Sequence, residues 1–231
     1  FGGLVSCRPA PTGSTDSTDT TSPPIEAQNP DAVITDIPAT PVWVQPNEAS
    51  SESIAAKGQN LIYGNVIITA DEGLAEVNLK SGLAFRIGGN ARLILQPDNQ
   101  LNLESGQMIT WVTPGQQVPT KIITPAGVAG LRGTTLFVDL PEDPADEVEF
   151  FSWEGTIAVR PLGASEDVII TSGEQLRIRP GENDVAELRQ RVRRLTQEEI
   201  VQRRSRSRLL NGFSQPLPTQ SQIDAALESE E

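Results

Sequence analysis

A chain of 231 residues with 18 Pro and 19 Gly is long enough for one sizeable core and leaves a good part of itself outside regular structure. A formal net charge of −13 opposes wholesale binding to nucleic acid or to an anionic bilayer. With no His and a single Cys, a histidine general base, a cysteine metal cluster and an intramolecular disulfide are all excluded, and no spacing among the 31 acidic residues singles out a catalytic pair. We therefore expect no enzyme, no cofactor and no metal site.

The amino end reads Phe1-Gly2-Gly3-Leu4-Val5-Ser6-Cys7, in which Leu4, Val5 and Ser6 before Cys7 resemble a bacterial lipobox. Residues 1–7 are then expected to be the remnant of a lipoprotein secretion signal, with Cys7 as the lipidated first residue of the mature protein. The alternatives are the end of a transmembrane helix or a chance string with a buried or free thiol. Each acyl CH₂ buried in the bilayer contributes about 0.8 kcal/mol, so such an anchor would hold firmly.

Residues 8–53 are dominated by Ser, Thr, Pro and Asp and predict a disordered linker, because too little apolar surface is present to offset chain ordering. Val42, Trp43 and Val44 interrupt it, either as a short strand docked on the domain or as a loosely ordered segment.

Residues 54–182 alternate apolar and polar side chains between Gly or Asn turns, which predicts an all-β domain. Ala75, Val77 and Leu79, then Leu83, Phe85 and Ile87, then Ala91, Leu93 and Leu95 are its clearest rungs. VNLKSG (77–82), LNLESG (101–106) and VIITSG (168–173) echo one another, each reading as a strand that ends in Ser-Gly. The expected fold is a compact stack of short strands, either an irregular β-solenoid or a twisted sandwich. The PEDPAD run (141–146) reads as a solvated acidic loop, in preference to a calcium site built from Glu142, Asp143, Asp146 and Glu147.

The stretch ITPAGVAGLRGTTLFVDL (123–140) carries Gly127, Gly130 and Gly133 at three-residue intervals, superficially a phosphate loop. A strand with one buried face follows, however, and without a helix the dipole for a phosphate is missing. The glycines therefore serve tight turns or close strand approach. Arg132, in an apolar run, needs several acceptors and is expected to tie neighbouring turns together, with an anion site as the sharper option.

The wording TPAGVAGLRGT (124–134), followed by WEGTIAV (153–159) and TSGEQLRI (171–178), resembles the FecR domain family over roughly residues 55–182. The resemblance implies an all-β module on the periplasmic side of a bacterial membrane. It assigns Thr124, Pro125, Gly127, Gly130, Arg132, Gly133 and Thr134 to the family's motif, in a structural role. The best-known members relay an iron-uptake signal from an outer-membrane receptor to a cytoplasmic sigma factor, with a cytoplasmic region before the membrane segment and a small mixed α/β domain after the β module. Neither is visible here.

Residues 183–213 change character. Val185, Leu188, Val192 and Leu195 recur at helical spacing, and Thr196 with Glu199 forms a capping-box string that opens a second helix running to about Leu210, with Gly212 beyond. Eight Arg against four acids give residues 184–210 a charge near +4. Arg189, Arg193, Arg194, Arg204 and Arg208 are the candidate partner-binding residues. The favoured reading is that this segment packs on the β domain and neutralises its acidic surface. Residues 214–231 predict a frayed acidic tail.

Trp111, Trp153, Phe85, Phe137, Phe150 and Phe151 all fall in strand text, and an exposed row of them would suit glycan stacking. Together these readings predict a non-enzymatic envelope binding or scaffolding lipoprotein with a protein partner. A FecR-type transducer regulating a sigma factor and a glycan or peptidoglycan binding module are the alternatives.

Overall fold

A computed structural model describes residues 1–3, 29–131 and 133–228. Its strands are β1 Ala32–Ala39, β2 Val42–Gln45, β3 Ser53–Ile54, β4 Asn60–Leu61, β5 Val66–Thr69, β6 Leu74–Leu79, β7 Leu83–Gln96 and β8 Gln100–Val112. They continue with β9 Thr120–Ile123, β10 Gly127–Leu131, β11 Thr135–Leu140, β12 Val148–Glu154, β13 Ile157–Pro161, β14 Val168–Ile170, β15 Glu174–Ile178 and β16 Arg193–Arg194. The helices are α1 Val185–Arg191, α2 Gln197–Arg206, α3 Arg208–Asn211 and α4 Gln220–Glu228.

The long hairpin of β7 and β8 organises everything else. Its inner half pairs Leu83–Gly88 with Gln107–Val112, and its outer half pairs Leu93–Gln96 with Gln100–Leu103, the ladder slipping at Arg92. The outer half carries one half-sheet, ordered β3-β2-β5-β7-β8-β9-β10-β13-β14, in which β8 and β9 run parallel. The inner half carries a second, ordered β4-β1-β6-β7-β8-β11-β12-β15-β16.

Both half-sheets turn one face inward onto a single apolar core. Val44, Ile67, Leu93, Leu101, Ile122 and Val159 of the first meet Ile34, Val77, Phe85, Met108, Val138 and Phe150 of the second. The arrangement is the twisted-sandwich alternative, with a sheet that bends over itself through a shared hairpin. Gly106 lies where the hairpin bends. Its φ is +77°, and a Cβ there would sit 2.4 Å from Ala91 Cα and 2.5 Å from Ala91 N. Glycine is the residue that accepts both the left-handed backbone and this approach.

Several expectations change. Residues 32–39, expected within the linker, form β1, while Val42, Trp43 and Val44 take the docked-strand alternative as β2, with Trp43 paired to Ile68 on one side and Ile54 on the other. Their partners lie far along the chain in β6 and β5, and Pro38 and Pro41 mask the alternation. LNLESG does not end a strand, since β8 runs through Gly106, whereas Gly82 and Gly173 do lie in turns between strands. Helix α1 stops at Arg191 because Arg193 and Arg194 extend and pair with Gln175 and Glu174 of β15. Thr196 and Glu199 form the capping box reciprocally, but the helix breaks at Ser207, whose Oγ accepts from Leu210 N and starts α3. The tail is not frayed throughout, since α4 forms and Leu217 and Ile223 are buried.

Gly106→Ala is expected to lower stability by more than the roughly 1–3 kcal/mol that a strained backbone conformation costs, because steric overlap adds to it. Chemical denaturation beside the parent protein measures this, and an unchanged midpoint would contradict the bend.

Candidate partner-binding face

The inner half-sheet has a second apolar face, directed away from the core. Cross-strand register sets Glu76, Arg86, Ile109, Phe137, Phe151, Gln175 and Arg193 side by side in one row across β6, β7, β8, β11, β12, β15 and β16. Trp111 and Trp153 flank it and join the same cluster. In a one-sided sheet this row would meet water. Here Leu195, Ile200, Leu209, Leu210, Phe213, Leu217 and Ile223 cover it, so residues 195–225 form a strap laid across the sheet. Strands β11 and β12 are consequently buried on both faces, where alternation predicts one.

Arg86 fastens the strap from below. Only 1% exposed, its guanidinium lies 4.1 Å from the Phe213 ring centre and 5.6 Å from that of Trp111. Its Nε donates to Glu76 Oε2 at 2.8 Å, Nη1 to Leu209 O at 3.0 Å and Nη2 to Gln215 O at 2.7 Å. Desolvation pushes its pKa down, and the bond and charge of Glu76 oppose that shift. From above, Arg203 of α2 lies over Phe137 and Phe151 and donates to Glu149 Oε1, while Arg177 Nη2 donates to Glu149 Oε2 at 2.7 Å. Thr135 and Thr219 share a hydrogen bond of 2.9 Å at the far end. Trp153 meets Phe151 edge-on at 4.9 Å, and its Nε1 has no hydrogen-bond partner among the described residues.

The motif residues lie elsewhere. Thr124 Oγ1 accepts from Gly127 N at 3.1 Å and donates to Gly127 O at 2.8 Å, closing the β9–β10 hairpin around exposed Pro125. A Cβ on Gly127 would lie 2.6 Å from Arg160 O, so close strand approach requires glycine there. Gly130 pairs with Lys121 and Ala158, and Gly133 leads into β11 with φ +71°. Thr134 is buried, and its Oγ1 has no partner among the described residues. Cys7 and Arg132 lie outside the described residues.

The five candidate arginines are each engaged within the chain. Arg189 pairs with Glu166, Arg193 with Glu199, Arg194 with Glu174, Arg204 with Asp224 and Arg208 with Glu72. These five cations thus face acids of the β domain and of the strap itself. The six aromatics proposed for glycan stacking are all buried, including both Phe150 and Phe151, and together they form no exposed row.

A groove of about 670 Å³ runs beside α2, floored by Phe137, Trp153 and Leu195. Along its sheet wall Gln107, Asp139, Glu149 and Arg177 stand side by side in the next cross-strand row. Glu149 has two arginines, whereas Asp139 has only Gln107 Nε2 at 3.2 Å as a side-chain partner among the described residues. Desolvation raises the Asp139 pKa; the Gln107 bond opposes this and the facing Glu149 reinforces it. A carboxyl whose folded pKa is raised favours the fold below its unfolded pKa, and this contribution is lost as pH rises through the folded value. Asp139→Asn is therefore expected to stabilise by about 0.2–1 kcal/mol at neutral pH, the range for relieving a like-charge cross-strand pair. The gain should vanish at acid pH, and urea titrations across pH would contradict it if the two proteins coincide throughout.

The chain resembles known proteins over part of its length. The model of the family described as FecR protein matches residues 65–157. No curated protein matches the chain. Two crystal structures, each described as a "putative anti-sigma factor" from Parabacteroides distasonis, resemble it at 12% identity over 52% of this chain, with TM-scores of 0.44 and 0.43. The likeness spans 56% and 57% of those chains, little more than half their length. The stretch from Asn65, just before β5, to Ile157, at the start of β13, holds the long hairpin, Gly106, Arg86 and the aromatic face, and it is over this stretch that the chain matches the FecR family.

Proposed function

We propose that the chain is a FecR-type signalling module of the bacterial envelope that works by binding a protein partner. The observation that carries this reading is the FecR match over residues 65–157, which contains the sheet face gripped by the strap. It favours the transducer alternative over scaffolding. A mostly apolar face with charged residues at its margin suits protein recognition, and burial of all six strand aromatics disfavours sugar stacking. No described helix is long and apolar enough to cross a membrane. Attachment through Cys7 is supported by the Leu4-Val5-Ser6 context.

Deleting and overproducing the chain in its own host should move one set of co-regulated transcripts in opposite directions, read by RNA sequencing. Unchanged transcripts together with a defect in envelope assembly would overturn signalling in favour of scaffolding. For the anchor, cells fed an alkyne fatty acid should label the parent protein and not Cys7→Ala. Undiminished labelling of the variant would dismiss lipidation.

A further inference from the structure

Beyond Leu195 the chain is held to the sheet by side chains alone. Leu195 N donates to Gly173 O, the last backbone bond to the sheet among the described residues. After it, backbone hydrogen bonds stay inside the strap, as from Ile200 to Thr196, Asn211 to Ser207, Gly212 to Arg208 and Ile223 to Thr219. The core between the half-sheets ends with Leu188 and the partly buried Val192, and every buried apolar residue of the strap belongs to the outer cluster. Lifting the strap would therefore remove no rung of the sheet and no side chain of the main core. Arg86 would keep Glu76. Along α2, the groove over Phe137 and Trp153 already brings solvent to the strap's margin.

We propose that residues 196–225 form a latch that opens as one unit from an intact sheet, gating access to the face of Ile109, Trp111, Phe137, Phe151 and Trp153. Closed, the latch satisfies Glu149 through Arg203 and fills the apolar row. Open, it frees five large apolar side chains, a patch of the kind that marks protein contact sites. The face is the partner surface of the function proposed above, so the latch rests on that reading for its purpose. Its opening is measured on the purified chain alone, and opening and signalling can each fail without the other.

Native-state hydrogen exchange in low denaturant tests this. Amides of Ile200, Asn211, Gly212 and Ile223 should exchange together, at least about tenfold faster than amides of β8, β11 and β12, as a sub-global opening requires. Phe213→Ala should accelerate the strap amides further and leave the sheet amides unchanged. Thr135→Cys with Thr219→Cys, in a Cys7→Ser background, replaces two hydroxyls 2.9 Å apart, within reach of a disulfide, and should slow the strap amides when oxidised. Strap and sheet amides exchanging at one rate with one denaturant dependence would overturn the latch. So would equal acceleration of both by Phe213→Ala, or a disulfide that leaves strap exchange unaltered.

Discussion

A single buried guanidinium joins the two ends of this fold. Taking a cation out of water costs several kcal/mol unless its donors are met, and an arginine offers five in a fixed fork. Arg86 spends that fork on Glu76 of its own sheet and on the carbonyls of Leu209 and Gln215, more than 120 residues away. Leu209 lies in α3, which ends too soon for its carbonyl to meet an amide four residues on, and Gln215 lies in irregular chain, places where backbone acceptors lack partners of their own. The aromatic slabs of Trp111 and Phe213 on either side exclude water and favour the charge at the same time. Glu76 also accepts from Thr35 of β1, so the amino-terminal strand is drawn into the same network.

Much of the inner architecture was legible in the sequence. Alternation through 74–96 gave β6 and β7, and Thr196 with Glu199 announced a helix start that the structure contains. What local pattern conveys is which residues face together, as Leu83, Phe85 and Ile87 do. It does not convey what covers the other face. Phe137 and Phe151 belong to near-continuous apolar runs, LFV and EFFSW, and such runs are the signal of a strand buried on both sides. The covering segment was obscured by its charges, since its arginines draw attention to the surface while Leu209, Leu210 and Phe213 do the packing. In β1, an isolated strand with Pro38 carries little periodicity, and its place is set by pairing with β6 some forty residues on.

The basic character of the carboxy-terminal segment takes on a different meaning once paired. Each of the five arginines singled out from the sequence reaches a carboxylate, and several cross between elements, as Arg208 does to Asp71 and Glu72 before β6. Exposed pairs of this kind contribute little energy individually. They give register, holding α2 and α3 at one place along the sheet while the apolar row supplies adhesion. The excess acid of the β domain is therefore partly answered within the chain.

The order in which the chain is made gives the two-faced sheet a further consequence. Strands β7, β8, β11 and β12 are synthesised before residues 195–225, so a half-sheet that forms ahead of the strap has Trp111, Phe137, Phe151 and Trp153 bare. During that interval the nascent domain is adhesive, and its yield depends on how quickly the last segment arrives or on a chaperone that shields the face meanwhile.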